Sequence, residues 1–233
     1  MDAVKRMLSG FTVFEKLLWS ISAGVVTLFF LLFDRQNWMT LAASLIGVTS
    51  LIFCARGHAF GQLLMVIFSG LYGVISYRFA YYGELVTYLG LTAPMAVAAL
   101  ISWLRHPYAG NRAQVAVNRL PLRELPLLAA LTAAVTVVFG FILAAFHTAN
   151  LFFSTLSVAT SFAAVYLTFR RSPYFALVYA VNDAVLLVLW SLASVQSRSY
   201  LAVVACFAAF LVNDLYGFFN WLRMLRRQQG VRQ

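Results

Sequence analysis

The sequence predicts an all-α polytopic membrane protein with eight transmembrane helices: one extra helix plus two parallel three-helix repeats joined by a linker helix. Three observations predict it. Hydrophobic residues make up 63% of the 233 residues and charged residues 10%, against roughly 25% charged in ordinary globular chains. The apolar residues gather into eight runs, each near the ~20 residues that cross a ~30 Å hydrocarbon core. The 17 Lys and Arg residues then sort to one side when the chain is threaded through those runs. With 21 Phe, 11 Tyr, 5 Trp and a mean hydropathy of +0.85, polar groups are too few to cover the surface, so lipid is part of the solvent. A formal charge of +10 would suggest nucleic acid in a soluble chain. Topology accounts for it here, and no nucleic-acid partner is expected.

Residues 1–16 mix Val4, Leu8 and Phe11 with Asp2, Lys5 and Arg6, a pattern that suits a short helix lying on the membrane face. A cleavable signal peptide is disfavoured. The first run starts late, lacks a convincing small-x-small cleavage site and is followed at once by another apolar run. The runs lie near residues 17–33, 37–55, 59–79, 83–104, 125–146, 151–169, 174–193 and 200–222. Apolar runs of this length satisfy their own backbone hydrogen bonds as helices, whereas a barrel would show short alternating segments.

The longest connection, Arg105 to Glu124, is basic and contains Pro107, Gly110, Asn111 and Pro121. Across it runs a faint repeat. Trp103-Leu104-Arg105 closes the fourth run and Trp221-Leu222-Arg223 closes the eighth; Thr49-Ser50 and Thr160-Ser161 recur in the second and sixth. The expected division is an interfacial segment and extra helix (1–35), a first repeat (36–105), a loop and linker helix (106–148), a second repeat (149–224) and a basic cytoplasmic tail (225–233). Parallel repeats of this kind occur in transporters.

Charge sets the expected orientation. With the N-terminus in the cytoplasm, the cytoplasmic segments hold Lys5, Arg6, Lys16, Arg56, Arg105, Arg112, Arg119, Arg123, Arg170, Arg171, Arg223, Arg226, Arg227 and Arg232. The outer segments hold Arg35, Arg78 and Arg198. Fourteen against three is a positive-inside pattern, with both termini cytoplasmic.

Chemistry is sought where polarity is expensive. Of seven acidic residues, Asp183 and Asp214 alone fall well inside predicted helices, each within Val-Asn-Asp. A mid-helix carboxylate costs at least ~2.5–3.5 kcal/mol on insertion scales, so it faces a water-filled cavity or a partner. One reading is a packing Asp bonded to a neighbouring Ser or Asn; the other is a substrate or proton site. No Lys or Arg partner is evident within the runs. Asn213, Tyr216, Gly217 and Asn220 form one polar stripe on the eighth run. The seventh places Asn182, Leu186 and Trp190 on a stripe with Tyr179 beside it. Ser154, Ser157 and Ser161 lie on the sixth, Gln62, Ser69, Tyr72 and Ser76 on the third, Tyr88 and Thr92 on the fourth. Single hydroxyls are common glue between membrane helices. A converging set of amides, tyrosines and a tryptophan fits a small aromatic, polyhydroxylated solute, by ring stacking and hydrogen bonds to sugar hydroxyls.

His58, His106 and His147 fall at loops or helix ends, and Cys54 and Cys206 are single thiols in apolar helices, so no disulfide framework is implied. No zinc-protease motif, nucleophile elbow or Walker loop is present. An enzyme is disfavoured, and no metal or cofactor is expected.

At these residues the chain resembles the PnuC vitamin transporters. The resemblance lies in Ala55-Arg56-Gly57-His58, Leu71-Tyr72-Gly73, Tyr82-Gly83-Glu84, Pro94-Met95 with Trp103, Val181-Asn182 with Trp190, and Val212-Asn213-Asp214-Leu215-Tyr216-Gly217 with Asn220-Trp221. It spans about residues 40–225. It implies two parallel triplets and a linker helix on a SWEET-like plan, often as a homotrimer. It also implies facilitated diffusion of a nonphosphorylated vitamin, typically nicotinamide riboside, trapped by a cytoplasmic kinase. The chain departs from that pattern. Gly61-Gln62 stands where many members have Asn-Tyr, Ser154 where many have Asp, and Asp183 and Asp214 are not the usual residues after each Asn. Relatives favour thiamine, riboflavin or deoxynucleosides; nicotinamide riboside and thiamine carry a fixed positive ring, riboflavin does not.

The function that the resemblance implies is therefore a vitamin or nucleoside facilitator of a bacterial inner membrane, nicotinamide riboside first. The alternatives are a thiamine, deoxynucleoside or riboflavin facilitator, a proton-coupled transporter using Asp183 or Asp214, and a nontransporting membrane assembly. Expected ligand contacts are Asn182, Asp183, Trp190, Asn213, Asp214, Tyr216 and Asn220, with Gln62 and Tyr72 closing the site from the first triplet.

Overall fold

The computed structural model describes residues 10–78 and 85–230. Residues 1–9 of the expected interfacial helix and Tyr82-Gly83-Glu84 lie outside the described residues. Among the described residues, eight helices are long and apolar enough to cross a membrane. They are built on α1 (Val13–Phe33), α2 (Trp38–Ala55), α3 (Ala59–Arg78), α4 (Ala93–Arg105), α5 (Leu125–Ala145), α6 (Leu151–Phe169), α7 (Phe175–Ser194) and α8 (Leu201–Gly230), α4 reaching that length only together with the turn before it, as Thr87–Arg105. A π-helical turn, Thr87–Thr92, leads into α4. Pro94 has no amide hydrogen for the carbonyl one turn back, and the helix widens just before it.

Helix α1 begins earlier than its apolar run because a capping box starts it. Thr12 Oγ1 accepts the Glu15 amide at 3.2 Å while Glu15 Oε2 accepts the Thr12 amide at 2.7 Å, which satisfies two otherwise orphaned donors. The chain then packs in sequence order, α2 on α3, α3 on α4, α6 on α7 and α7 on α8. Contacts of α2 with α8 and of α4 with α6 close these six helices into a ring. Helices α1 and α5 stand outside it. α1 rests on α2 and α8, and α5 packs on α6 with Leu143 as its one buried residue, as a helix in lipid can be.

Gly61 sets the closeness of α2 and α3. A Cβ there would lie 2.6 Å from the Cys54 backbone nitrogen and 2.8 Å from the Ser50 carbonyl oxygen, and Ser50 Oγ donates to the Gly61 carbonyl at 2.8 Å. Gly61→Ala is expected to lower stability by about 1–3 kcal/mol, read as a lower melting temperature in detergent. An unchanged melting temperature would mean that the two helices can part at no cost.

The ring is fastened at the end where α1 begins and α8 ends. Trp103 Nε1, from α4, donates to the Thr168 carbonyl at the end of α6 at 2.9 Å, and Ser102 Oγ donates to Phe169 at 2.8 Å. The second half repeats the arrangement. Trp221 Nε1, from α8, donates to the Cys54 carbonyl at the end of α2 at 2.8 Å, and Asn220 Nδ2 donates to Ala55 at 2.8 Å. The two indoles meet at a centroid distance of 5.3 Å. Beyond these carbonyls the chain turns at positive φ in both places, Gly57 (69°) and Arg171 (59°). The arginine just before each turn holds a carboxylate, Arg56 to Glu15 at 3.7 Å and Arg170 to Glu124 at 2.6 Å.

The long connection is not bare loop. Pro107–Tyr108 and Asn111–Val115 form a small antiparallel hairpin whose turn residues, Ala109 and Gly110, both have positive φ, as a tight two-residue hairpin requires. Val115 is buried, and its amide donates to the Gly57 carbonyl at 2.9 Å. Gln228 clamps the strand's exit, with Nε2 donating to the Val115 carbonyl and Oε1 accepting the Val117 amide. That clamp holds the last turns of α8, which runs on to Gly230.

Candidate functional site

Helix α7 and helix α8 bring Asp183 and Asp214 together inside the ring. Asp183 is 3% and Asp214 5% exposed, and among the described residues Asp183 Oδ2 has no hydrogen-bond partner. Both line a cavity of about 90 Å³ between the two groups of three helices. Aromatic rings close it round: Phe68 from α3, Tyr88 from the π-helical turn, Tyr179 and Trp190 from α7, Phe207 and Phe210 from α8. Hydroxyls come from Thr87, Thr92, Thr148, Ser154, Ser157 and Ser161, and among the described residues no Lys, Arg or His lines it. The volume holds a few waters; a larger solute fits only as lining rings turn outward.

Asn182 is held in place by its oxygen. Thr160 Oγ1 donates to Oδ1 at 2.7 Å and Ser161 Oγ at 3.1 Å, which leaves the amide NH2 as the donating group on the cavity side. Trp190, 7% exposed, lines this cavity and also a second one toward the opposite end of the bundle, with its ring 5.4 Å from that of Tyr200. It is a wall between the two. The second cavity, again about 90 Å³, is lined by Asp34, Asn37, Thr40, Tyr72, Ser76 and Ser199 among others. Burial pushes the Asp34 carboxyl up, and the Asn37 amide donating to it holds it partly back.

Of the residues singled out from sequence, Asn182, Asp183, Trp190 and Asp214 meet at the central cavity, and Tyr72 lines the second. The other four are engaged elsewhere. Asn213 Nδ2 donates to Ser22 Oγ at 2.9 Å and to the Ala209 carbonyl; Tyr216 Oη donates to Glu15 Oε1 at 3.0 Å; Asn220 caps α2 as described. Gln62 Nε2 reaches Cys54 Sγ at 3.2 Å. The polar stripe on α8 is real, but it faces α1 and the end of α2. Asp214, about 100° round the helix from Asn213, faces inward. Tyr216 and Asn220 border a separate open groove of about 730 Å³ beside Arg56, Arg223 and Arg227. Phe68, Phe207 and Phe210 line the cavity without having been singled out, since nothing in an apolar run distinguishes a cavity-facing Phe from a lipid-facing one.

The arrangement offers ring faces, hydroxyls, an amide and two carboxyls, which is the equipment of a binding cavity for a small polar aromatic solute. Among the described residues no group of three or more His, Cys, Asp or Glu is placed to hold a metal ion. Comparison with known proteins agrees in kind. The family model described as nicotinamide mononucleotide transporter matches residues 37–223. The chain is 25% identical over 231 residues to the nicotinamide riboside transporter PnuC of Neisseria mucosa, covering 97% of this chain and 87% of that protein. A crystal structure of the vitamin B3 transporter PnuC shares the fold, with a TM-score of 0.83 at 24% identity over 96% of this chain and 97% of the other. The chain is a membrane transporter, not an enzyme, and belongs to the nicotinamide mononucleotide transporter family, that of the PnuC vitamin transporters.

Proposed function

We propose that the protein carries nicotinamide riboside into the cytoplasm by facilitated diffusion across a bacterial inner membrane. The observation that carries this reading is the central cavity, where ring faces and an amide donor surround two carboxyls with no basic residue among the described lining. A pyridinium riboside answers each of these features: a flat ring for Trp190, a carboxamide and hydroxyls for Asn182 and the serines, and a fixed positive charge for Asp183 and Asp214. A phosphorylated form answers them badly, because its phosphate has no cation to meet. The two matched hydrogen-bond sets at Trp103 and Trp221 support a plan of two parallel repeats that rock against each other around this cavity. The excess of Lys and Arg on the side of the chain ends supports cytoplasmic termini. Assembly as a homotrimer and trapping by a cytoplasmic kinase rest on the family resemblance.

Purified protein in lipid vesicles containing no kinase tests the reading. Labelled nicotinamide riboside is expected to equilibrate across the vesicle wall and stop at equal concentrations. Enclosing a riboside kinase with ATP is expected to convert equilibration into accumulation of the phosphorylated product. Concentration driven by an imposed pH gradient alone would replace facilitated diffusion with proton coupling through the Asp183–Asp214 pair. Absence of any uptake would overturn the transport reading.

A further inference from the structure

The carboxyl pair does more than add polarity to the cavity, and its consequence rests on the riboside reading above. Asp183 and Asp214 present two buried carboxyls to one cavity. Among the described residues no Lys, Arg or His lines it, and Asp183 Oδ2 meets no donor. A carboxyl buried in this way is costly to ionise alone, and a cation that enters beside it makes the ionised form favourable. The site therefore offers countercharge to a cationic ligand, walled by the ring faces of Trp190, Phe68 and Phe210. Such faces also attract cations.

We propose that Asp183 and Asp214 together make this transporter select the charge state of the nicotinamide ring, taking the oxidised, cationic riboside and discriminating against the reduced dihydro riboside. The two forms share the ribose and the carboxamide and have nearly the same size. They differ in that the oxidised ring is planar and carries a fixed positive charge, whereas the dihydro ring is neutral. Discrimination between them is thus a reading of charge, and in a buried site a single close countercharge is worth far more than at a surface. The pair lies on two helices of the same group of three, so it stays together when the two groups move apart.

The test is equilibrium binding of both forms of the riboside to the unmodified protein, followed by both to Asp183→Asn and Asp214→Asn. The oxidised form is expected to bind about ten- to a hundredfold more tightly. Either Asn substitution is expected to bring the two affinities together, by weakening the oxidised form and leaving the dihydro form nearly as it was. Equal affinities for the two forms in the unmodified protein would overturn the proposal while leaving the transport of the riboside intact, and this first comparison needs no variant. A preference that persists in both variants would also overturn it, since the discrimination would then come from ring shape or stacking. Failure of both forms to bind would overturn the proposal and the riboside reading together.

Discussion

Nicotinamide mononucleotide is expected to bind the purified protein about a thousandfold more weakly than nicotinamide riboside. The two differ by one phosphate, and the cavity has nothing to receive it. Asp183 and Asp214 occupy its wall, its polar remainder is hydroxyl and amide, and no basic residue lines it among the described residues. Moving an ion out of water without a partner costs several kcal/mol even after relaxation. About 4 kcal/mol corresponds to a thousandfold in affinity, and repulsion by the carboxyls adds to it. Arg56, Arg223 and Arg227 do not rescue the phosphate, because they border the groove beside α1 and not this cavity. Displacement of labelled riboside by each compound measures the ratio. Equal potency would mean that the phosphate finds a cation in another conformation, and the mononucleotide of the family's name would become the first candidate substrate.

Trp190→Ala is expected to weaken riboside binding by about tenfold to a hundredfold, the equivalent of roughly 1–3 kcal/mol of lost stacking. Trp190→Phe is expected to retain part of the affinity, since a smaller ring still offers a face. Trp190 also separates the central cavity from the one beneath Asp34 and packs on Tyr200. Its truncation therefore joins two spaces as well as removing a ring. The two effects separate by measurement: lost stacking appears as weaker equilibrium binding, and a breached wall appears as faster passage of small polar solutes through vesicles. Unchanged affinity in Trp190→Ala would remove this residue from the ligand site.

The polar residues show how far a sequence can be read. Asn213, Tyr216 and Asn220 make a stripe at helical spacing, and the structure keeps that stripe on one face of α8. Spacing identifies a face and says nothing of what the face meets. In lipid any polar group needs a partner, whether a ligand or a neighbouring helix, so the hydrogen bonds to Ser22, Glu15 and the Ala55 carbonyl satisfy it as well as a substrate would. The two aspartates were legible for a different reason. A mid-membrane carboxyl is costly enough that few arrangements tolerate it. The hairpin at residues 107–115 left no such trace, because strands this short carry no periodic signal.

What the sequence by itself determined was the number of crossings and the class of the molecule, because bilayer thickness acts on each run separately and needs no knowledge of its neighbours. The family motifs likewise sit within single segments. What only the tertiary structure decided was which side chains share a space. Asp183 and Asp214 are brought together by the packing of α7 against α8, Trp190 becomes a wall by reaching Tyr200, and Trp103 and Trp221 fasten opposite halves through carbonyls far along the chain. Those meetings depend on helix rotation and tilt, which close packing between helices sets and which no single apolar run encodes.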